Sequence, residues 1–213
     1  MSEVAAIVLA AGKASRFRAA AGDTAPVTKL VAHYDGKALV RHVVEAAHAA
    51  RLSPVIVVTG HAREAVLAEL NGLDVRPVHN SDYETGMASS LKAGLAQCPP
   101  SAHGVVVLLG DMPLVGPALI DTLTAAFEAH PEALAVVPSF AGERGNPVLI
   151  SAHLFPALAA LHGDAGARQV LRGLSDGVLE VAVSDEAARV DIDTPDALRD
   201  LARPFSSDQE NTP

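Results

Sequence analysis

Four short apolar, β-branched runs punctuate this 213-residue chain, at 4–9, 55–59, 105–109 and 135–137, and Ala- and Leu-rich stretches with helical spacing separate them. A strand that is apolar at every position, rather than at alternate ones, has both faces covered. Strands separated by helices join in parallel, because the chain must cross back before it can start the next one. The pattern therefore predicts an α/β fold with a mostly parallel sheet and helices on both faces. Helices are predicted over 37–50, 62–70, 87–97, 117–129, 151–161 and 195–202. Pro117 and Pro195 suit a first helical turn, Thr194 is an N-cap before Pro195, and Asn71-Gly72 ends the second helix. Without an internal repeat, a low-complexity linker or a break in composition, the reading is a single domain over 1–203 followed by a polar, disordered tail at 204–213.

Composition narrows the partners. With 49% apolar and 19% charged residues, a chain of this length can bury one substantial core. A net charge of -9 counts against a sequence-independent grip on nucleic acid, which needs clustered cations to displace counterions from phosphates. Basic charge nevertheless gathers early: of the four lysines, Lys13 and Lys29 flank Arg16 and Arg18. The single cysteine, Cys98, rules out an intramolecular disulfide and a zinc cage of several thiolates, and the nine histidines are scattered without metal-ligand spacing. No apolar run is long enough to span a bilayer and no signal-type segment opens the chain, so a soluble cytoplasmic protein without a membrane partner is expected.

Ligands of open α/β sheets bind beyond the carboxyl ends of the strands, which directs attention to the loops there. The first apolar run ends in Leu9-Ala10-Ala11-Gly12, followed by Lys13, Ser15 and Arg16. A glycine after a buried strand lets backbone N–H groups approach phosphate oxygens, and the cations add charge, so this is read as a phosphate grip. It is neither GxxxxGK[ST], since Ile7 and Ala14 stand at required positions, nor GxGxxG. The third run ends in Gly110-Asp111-Met112-Pro113, and a lone carboxylate there suits Mg²⁺, which takes one or two protein carboxylates together with phosphate oxygens. Asp191-Ile192-Asp193-Thr194-Pro195 is read as a short strand whose alternation places Asp191 and Asp193 on one face. Asp193 is then either a second metal ligand or a helix cap, and Asp191 a cap. The polar segment 80–91 feeds a helix whose Ser89 and Ser90 either hold a base edge, ribose or anion, or simply cap the helix. Around Asn146 the Gly-rich segment 142–147 is a ligand-facing loop or a hairpin turn. In Gly163-Asp164-Ala165-Gly166-Ala167-Arg168, Arg168 is a candidate fork for a second phosphate.

In this order the motifs resemble those of the molybdenum cofactor nucleotidyltransferase family, over about residues 4–202. Leu-Ala-Ala-Gly at 9–12, where the guanylyl branch has Leu-Ala-Gly-Gly, is similar to the cytidylyltransferases within it. The resemblance implies a Rossmann-like, GT-A-like three-layer α/β/α nucleotidyltransferase fold. It also implies Mg²⁺-dependent transfer of CMP from CTP to the phosphate of molybdopterin cofactor, with release of pyrophosphate and delivery to a molybdoenzyme. On that reading Leu9, Ala10, Ala11, Gly12, Lys13, Ser15, Arg16, Lys29, Ser89 and Ser90 bind the nucleotide, with Arg16, Lys29 and Asp111 as the catalytic groups. Asp111 and Asp193 hold Mg²⁺, and Asn146, Asp164 and Arg168 hold the acceptor. Two departures stand out. Arg18 replaces the glycine usual after Phe17, and eleven residues separate Phe17 from Lys29, which makes the loop a lid or passes the phosphate contact to Lys13. The same residues also accommodate nucleotidyl transfer to a sugar phosphate, a glycosyltransferase using Asp191-Ile192-Asp193, or a non-catalytic molybdenum cofactor carrier.

Overall fold

The computed structural model describes residues 4–21, 26–174, 176–184 and 186–201; the segment 204–213 read as a tail lies outside them. Strand β1 (Val4–Ala10) sits inside an eight-stranded sheet, in parallel pairing with β4 (Val55–Thr59) on one side and β6 (Gly104–Leu109) on the other, so that Ile7 faces Ile56 and Val107. Beyond β4, β5 (Arg76–His79) continues the parallel set. On the other flank β9 (Val148–Ser151) runs antiparallel between β6 and β7 (Ala135–Phe140), and β10 (Val178–Ala182) lies parallel to β7. A two-residue strand, β8 (Glu143–Arg144), folds back on β7 as a hairpin, while β2 (His33–Tyr34) and β3 (Lys37–Ala38) form a separate ribbon.

The continuous apolar character of β1 follows from this position. Ala6, Val8 and Ala10 face a core built with α2 (Leu39–Ala49), α3 (Arg63–Glu69) and α5 (Pro117–Ala129). Ala5 and Ile7 face the opposite core, built with α4 (Met87–Leu95), α6 (Phe155–Ala159) and α7 (Ala167–Arg172). Helix α2 shows the matching stripe, with Leu39, Val40, Val43, Val44 and Ala47 all buried at i, i+1, i+4, i+5 and i+8. The result is the expected three-layer α/β/α fold with a mostly parallel sheet. Among the described residues no helix is long and apolar enough to cross a membrane.

Several expectations need correction. The predicted helix over 151–161 begins later, because Ser151 still pairs with Gly104 in the sheet; its hydroxyl accepts from the His153 N–H and starts a tight turn before α6. Lys37 and Ala38 are ribbon rather than helix, since they pair with Tyr34 and His33. In the segment 142–147 the hairpin turn lies at 141–142, Glu143 and Arg144 form β8, and 145–147 lead into β9 with Asn146 lining a recess, while the segment 191–193 is extended without being a strand. Strands β5 and β10 are absent from the prediction because they are sheet edges with exposed positions, which removes the all-apolar signal. Helix α1 (Ser15–Ala21) occupies what reads as a loop, and α7 begins where the Gly-rich loop of 163–166 ends.

Two features set the cleft at the carboxyl edge. A third apolar cluster of Phe17, Leu39 and Ile192, with Ala197 and Leu198 of α8 (Pro195–Leu201), clamps α1 and α8 together. Gly86, at φ +113°, brings the start of α4 against the 163–164 loop, and the Ala88 N–H donates to the Gly163 carbonyl at 3.0 Å. A Cβ on Gly86 would stand 2.2 Å from the Gly163 carbonyl carbon, a distance that backbone cannot relieve by rotating a side chain. Gly86→Ala is expected to lose about 3 kcal/mol of stability in denaturant unfolding. Gly12→Ala, whose Cβ would meet no atom of the protein within 4 Å, is expected to melt like the parent.

Candidate active site

Where β6 ends, the Gly110 N–H donates to the Leu9 carbonyl at 3.1 Å, and the next residue, Asp111, points its carboxylate into the cleft beside the end of β1. The Ile192 N–H donates to the Asp111 carbonyl at 3.0 Å, which locks the 191–193 segment alongside. Ile192 is fully buried, so its neighbours Asp191 and Asp193 both turn toward the cleft, as alternation predicts even without a strand. Lys29 arrives on a single 3₁₀ turn nucleated by the buried Thr28, whose hydroxyl accepts from the Leu30 N–H. Its ammonium lies 2.6 Å from Asp111 Oδ2 and 2.6 Å from Asp193 Oδ1, and Arg16 on α1 donates to Asp193 Oδ2 at 3.0 Å.

This cluster sets its own protonation. Burial pushes the Lys29 ammonium toward deprotonation, but Asp111 and then Asp193 outweigh it and raise its pKa above the ordinary lysine value. Asp193 is held below the ordinary carboxylate range first by the hydrogen bond from Lys29, against a smaller opposing effect of burial, with Arg16 adding to the attraction. Asp191 moves the other way: partial loss of water, then the negative charges of Asp193 and Asp111, raise it.

The donor set fits a hard divalent cation. Two carboxylate oxygens, each 2.6 Å from one ammonium nitrogen, already converge on a single positive charge. Among the described residues no group of three or more His, Cys, Asp or Glu is arranged as a metal cage. Two carboxylates, with water and phosphate oxygens filling the remaining positions, suit a hard divalent cation.

The cleft around the cluster has a volume of about 480 Å³ and includes Gly12, Lys13, Ser90 and Asp164. Leu9, Met87, Leu109, Asp164 and Asp191 also wall an adjoining recess of about 350 Å³ that contains Asn146 and Arg168. Most of the expected site residues therefore meet. Lys29, not Lys13, is central, so the eleven residues before it do not keep it from Asp111; Lys13 lies exposed at the rim, 2.6 Å from Glu84. Ala10 is buried in β1, while Ser15 and Arg16 are exposed on the first turn of α1. Ser89 serves the loop: its hydroxyl is within 3.0 Å of the Asp82 and Gly86 carbonyls and accepts from the amide of Asn80. Thr194, rather than Asp191 or Asp193, caps α8 by accepting from the Ala197 N–H. Sequence reasoning missed two residues: buried Asn80 staples Ser89 and Ser90, and Met87 is 43% exposed between the two cavities. Asp191, read as a cap, faces the cleft instead, which its alternation with Asp193 had signalled. Met87 carried a signal too, as an apolar residue following a glycine at a helix start.

The family described as MobA-like NTP transferase domain matches residues 6–179. The chain belongs to that family. A nucleoside triphosphate is accordingly the substrate class and nucleotidyl transfer the enzyme class, as the motif resemblance implied. Among curated relatives, the chain is 32% identical to nicotine blue oxidoreductase of Paenarthrobacter nicotinovorans, over 90% of this chain and 92% of that one. Rv0371c of Mycobacterium tuberculosis H37Rv superposes with a TM-score of 0.80 at 30% identity, covering 94% of this chain and 98% of that one. The same protein has a crystal structure in complex with manganese, which shows divalent metal binding among the relatives of this MobA-like domain. A nucleotidyl transferase from Methanothermobacter thermautotroptrophicus, Mth528, superposes with a TM-score of 0.80 at 26% identity, covering 95% and 97%.

The Lys29 cluster makes a measurable claim. Lys29→Met is expected to lower stability at neutral pH by about 1–3 kcal/mol, between the values for exposed and buried pairs. Because the folded pKa of Asp193 lies below its unfolded value near 4, the pair stabilises fully above that value and fades as pH falls through the folded one. Thermal melts of parent and variant should converge on that acid side, and Mg²⁺ should raise the melting temperature of the variant more than that of the parent.

Proposed function

We propose that this chain is a cytidylyltransferase that moves CMP from CTP to the phosphate of molybdopterin cofactor. The observation that carries the reading is one ammonium, Lys29, held between Asp111 and Asp193 beside the Gly12 turn. Gly12 has open space where a side chain would be, so the packing of the protein does not require glycine there; close approach of a phosphate does. Backbone N–H groups around residues 9–12, with Lys13, Ser15 and Arg16, bind the triphosphate, and Lys29 neutralises charge at the α-phosphate. Asp111 and Asp193 would hold Mg²⁺, which when bound supplies Lewis-acid charge to the phosphate oxygens. Ser90 lies toward the nucleoside, with Ser89 shaping that wall through Asn80.

Asn146, Asp164 and Arg168 line the adjoining recess and would position the acceptor so that its phosphate oxygen faces the α-phosphorus opposite the departing pyrophosphate. A new P–O bond forms to the acceptor as the bond to the β-phosphate oxygen breaks, and the electron pair leaves with pyrophosphate. Alignment of two anions and screening of their charge supply most of the rate. A single domain over 1–203, a cytoplasmic location and a molybdoenzyme recipient complete this reading. A second reading comes from the nicotine blue oxidoreductase relative: an oxidation–reduction reaction in the same cleft. It predicts a change in the oxidation state of the substrate without pyrophosphate release.

Pyrophosphate release is therefore measured with Mg²⁺, molybdopterin cofactor and each of CTP, GTP, ATP and UTP. Release with CTP alone is the expected outcome, release with GTP overturns the choice of base, and silence with all four overturns the acceptor. Asp111→Ala is expected to keep a cooperative melt while losing about 10³-fold or more in transfer rate, the scale of removing a main electrostatic group. Full activity in that variant removes Asp111 from the chemistry.

A further inference from the structure

The recess continues away from Lys29. Beyond Asn146 it opens into a smaller pocket of about 120 Å³, and Arg168 and Arg172 line both. These two arginines lie four residues apart on α7, which places them on one face of the helix. Neither forms an ion pair or hydrogen bond with any described residue. The arginines nearby differ: Arg144 is paired with Glu180, and Arg189 with Glu143. Two like charges on adjacent turns repel, and the smaller pocket that both face has no carboxylate in its lining. The guanidinium of Arg168 shows the effect, since partial loss of water and then the charge of Arg172 lower its pKa, against a smaller opposing pull from Asp191.

At one end of the cleft Lys13, Lys29 and Arg16 are each matched by a carboxylate, from Glu84, Asp111 or Asp193; Asp164 and Asp191 line the middle, and Arg168 with Arg172 stand at the other end. The reacting phosphates belong at the Lys29 end, where the carboxylates for a metal are. We infer that Arg168 and Arg172 form a separate anion subsite, and that the acceptor carries a second anionic group in addition to its reacting phosphate. A guanidinium pair suits an oxyanion, either a tetrahedral phosphate-like group or a planar carboxylate. The identity of the reaction rests on the proposed function above; the subsite does not, and its test does not use transfer.

Protein labelled with ¹⁵N-arginine is titrated with inorganic phosphate, acetate and chloride at constant ionic strength, following the arginine Nε–H resonances. Arg168 and Arg172 should shift together and saturate with phosphate or acetate at lower concentration than with chloride. Tighter phosphate identifies a phosphate-like second group, and tighter acetate a carboxylate. Arg172→Met should weaken the response at Arg168 by about tenfold, the worth of one charge-assisted contact, and Arg172→Lys should restore part of it. Equal, non-saturating shifts with all three anions overturn the subsite, as does an unchanged Arg168 response in Arg172→Met. The titration of the parent protein decides the matter if that variant does not fold. Saturable phosphate binding with no pyrophosphate release from any nucleotide leaves the subsite standing and removes the proposed reaction; transfer without the arginine response does the reverse.

Discussion

Everything at the cleft depends on β1 being buried on both faces between two parallel neighbours. A strand in that position ends where its apolar residues end, and its parallel partners end at the same edge. Leu9 is level with Val58 on β4 and Leu109 on β6, so the residues just after Ala10 and Leu109 emerge side by side. Gly12 and Asp111 are brought together by register, although a hundred residues of chain separate them. No side chain at the site needs to reach far, because the sheet has already brought the backbone there.

Charge then organises what the sheet has assembled. One ammonium stabilises two converging carboxylates that would otherwise repel each other, and it does so where a divalent cation and a triphosphate would bring their own charges. On the proposed reading, a divalent cation would take over the carboxylates and leave Lys29 to the phosphates. The apolar clamp of Phe17, Leu39 and Ile192 holds α1, which carries Arg16, and the segment leading into α8, which carries Asp193. Without that clamp, α1 and α8 would be short helices with little reason to stay over the site.

The elements legible in the sequence were those with an internal pattern. The four all-apolar strands and the Pro117 helix carry their own periodicity, and Thr194-Pro195 carries its own cap. Edge strands β5 and β10 alternate poorly and borrow their order from β4 and β7, so a local reading does not find them. For the site, Gly12, Lys29, Asp111 and Asp193 were legible because each stands in a distinctive local setting. Asp191 was read as a cap because its role comes from buried Ile192 beside it, and Arg172 had no motif at all. Its meaning comes from facing a recess whose other wall is β9 and the hairpin of β7 with β8.

The amino-acid sequence by itself determined the fold class, the family and the residues at the ends of β1 and β6, because burial and turn chemistry act over a few neighbouring positions. Tertiary structure alone decided that Lys29 rather than Lys13 sits between the carboxylates, that Ser89 serves the loop while Ser90 faces the cleft, and that two arginines at its far end have no ion-pair partner among the described residues. Those outcomes depend on distances between segments remote in the chain, and electrostatic energy is set by such distances and by local exclusion of water.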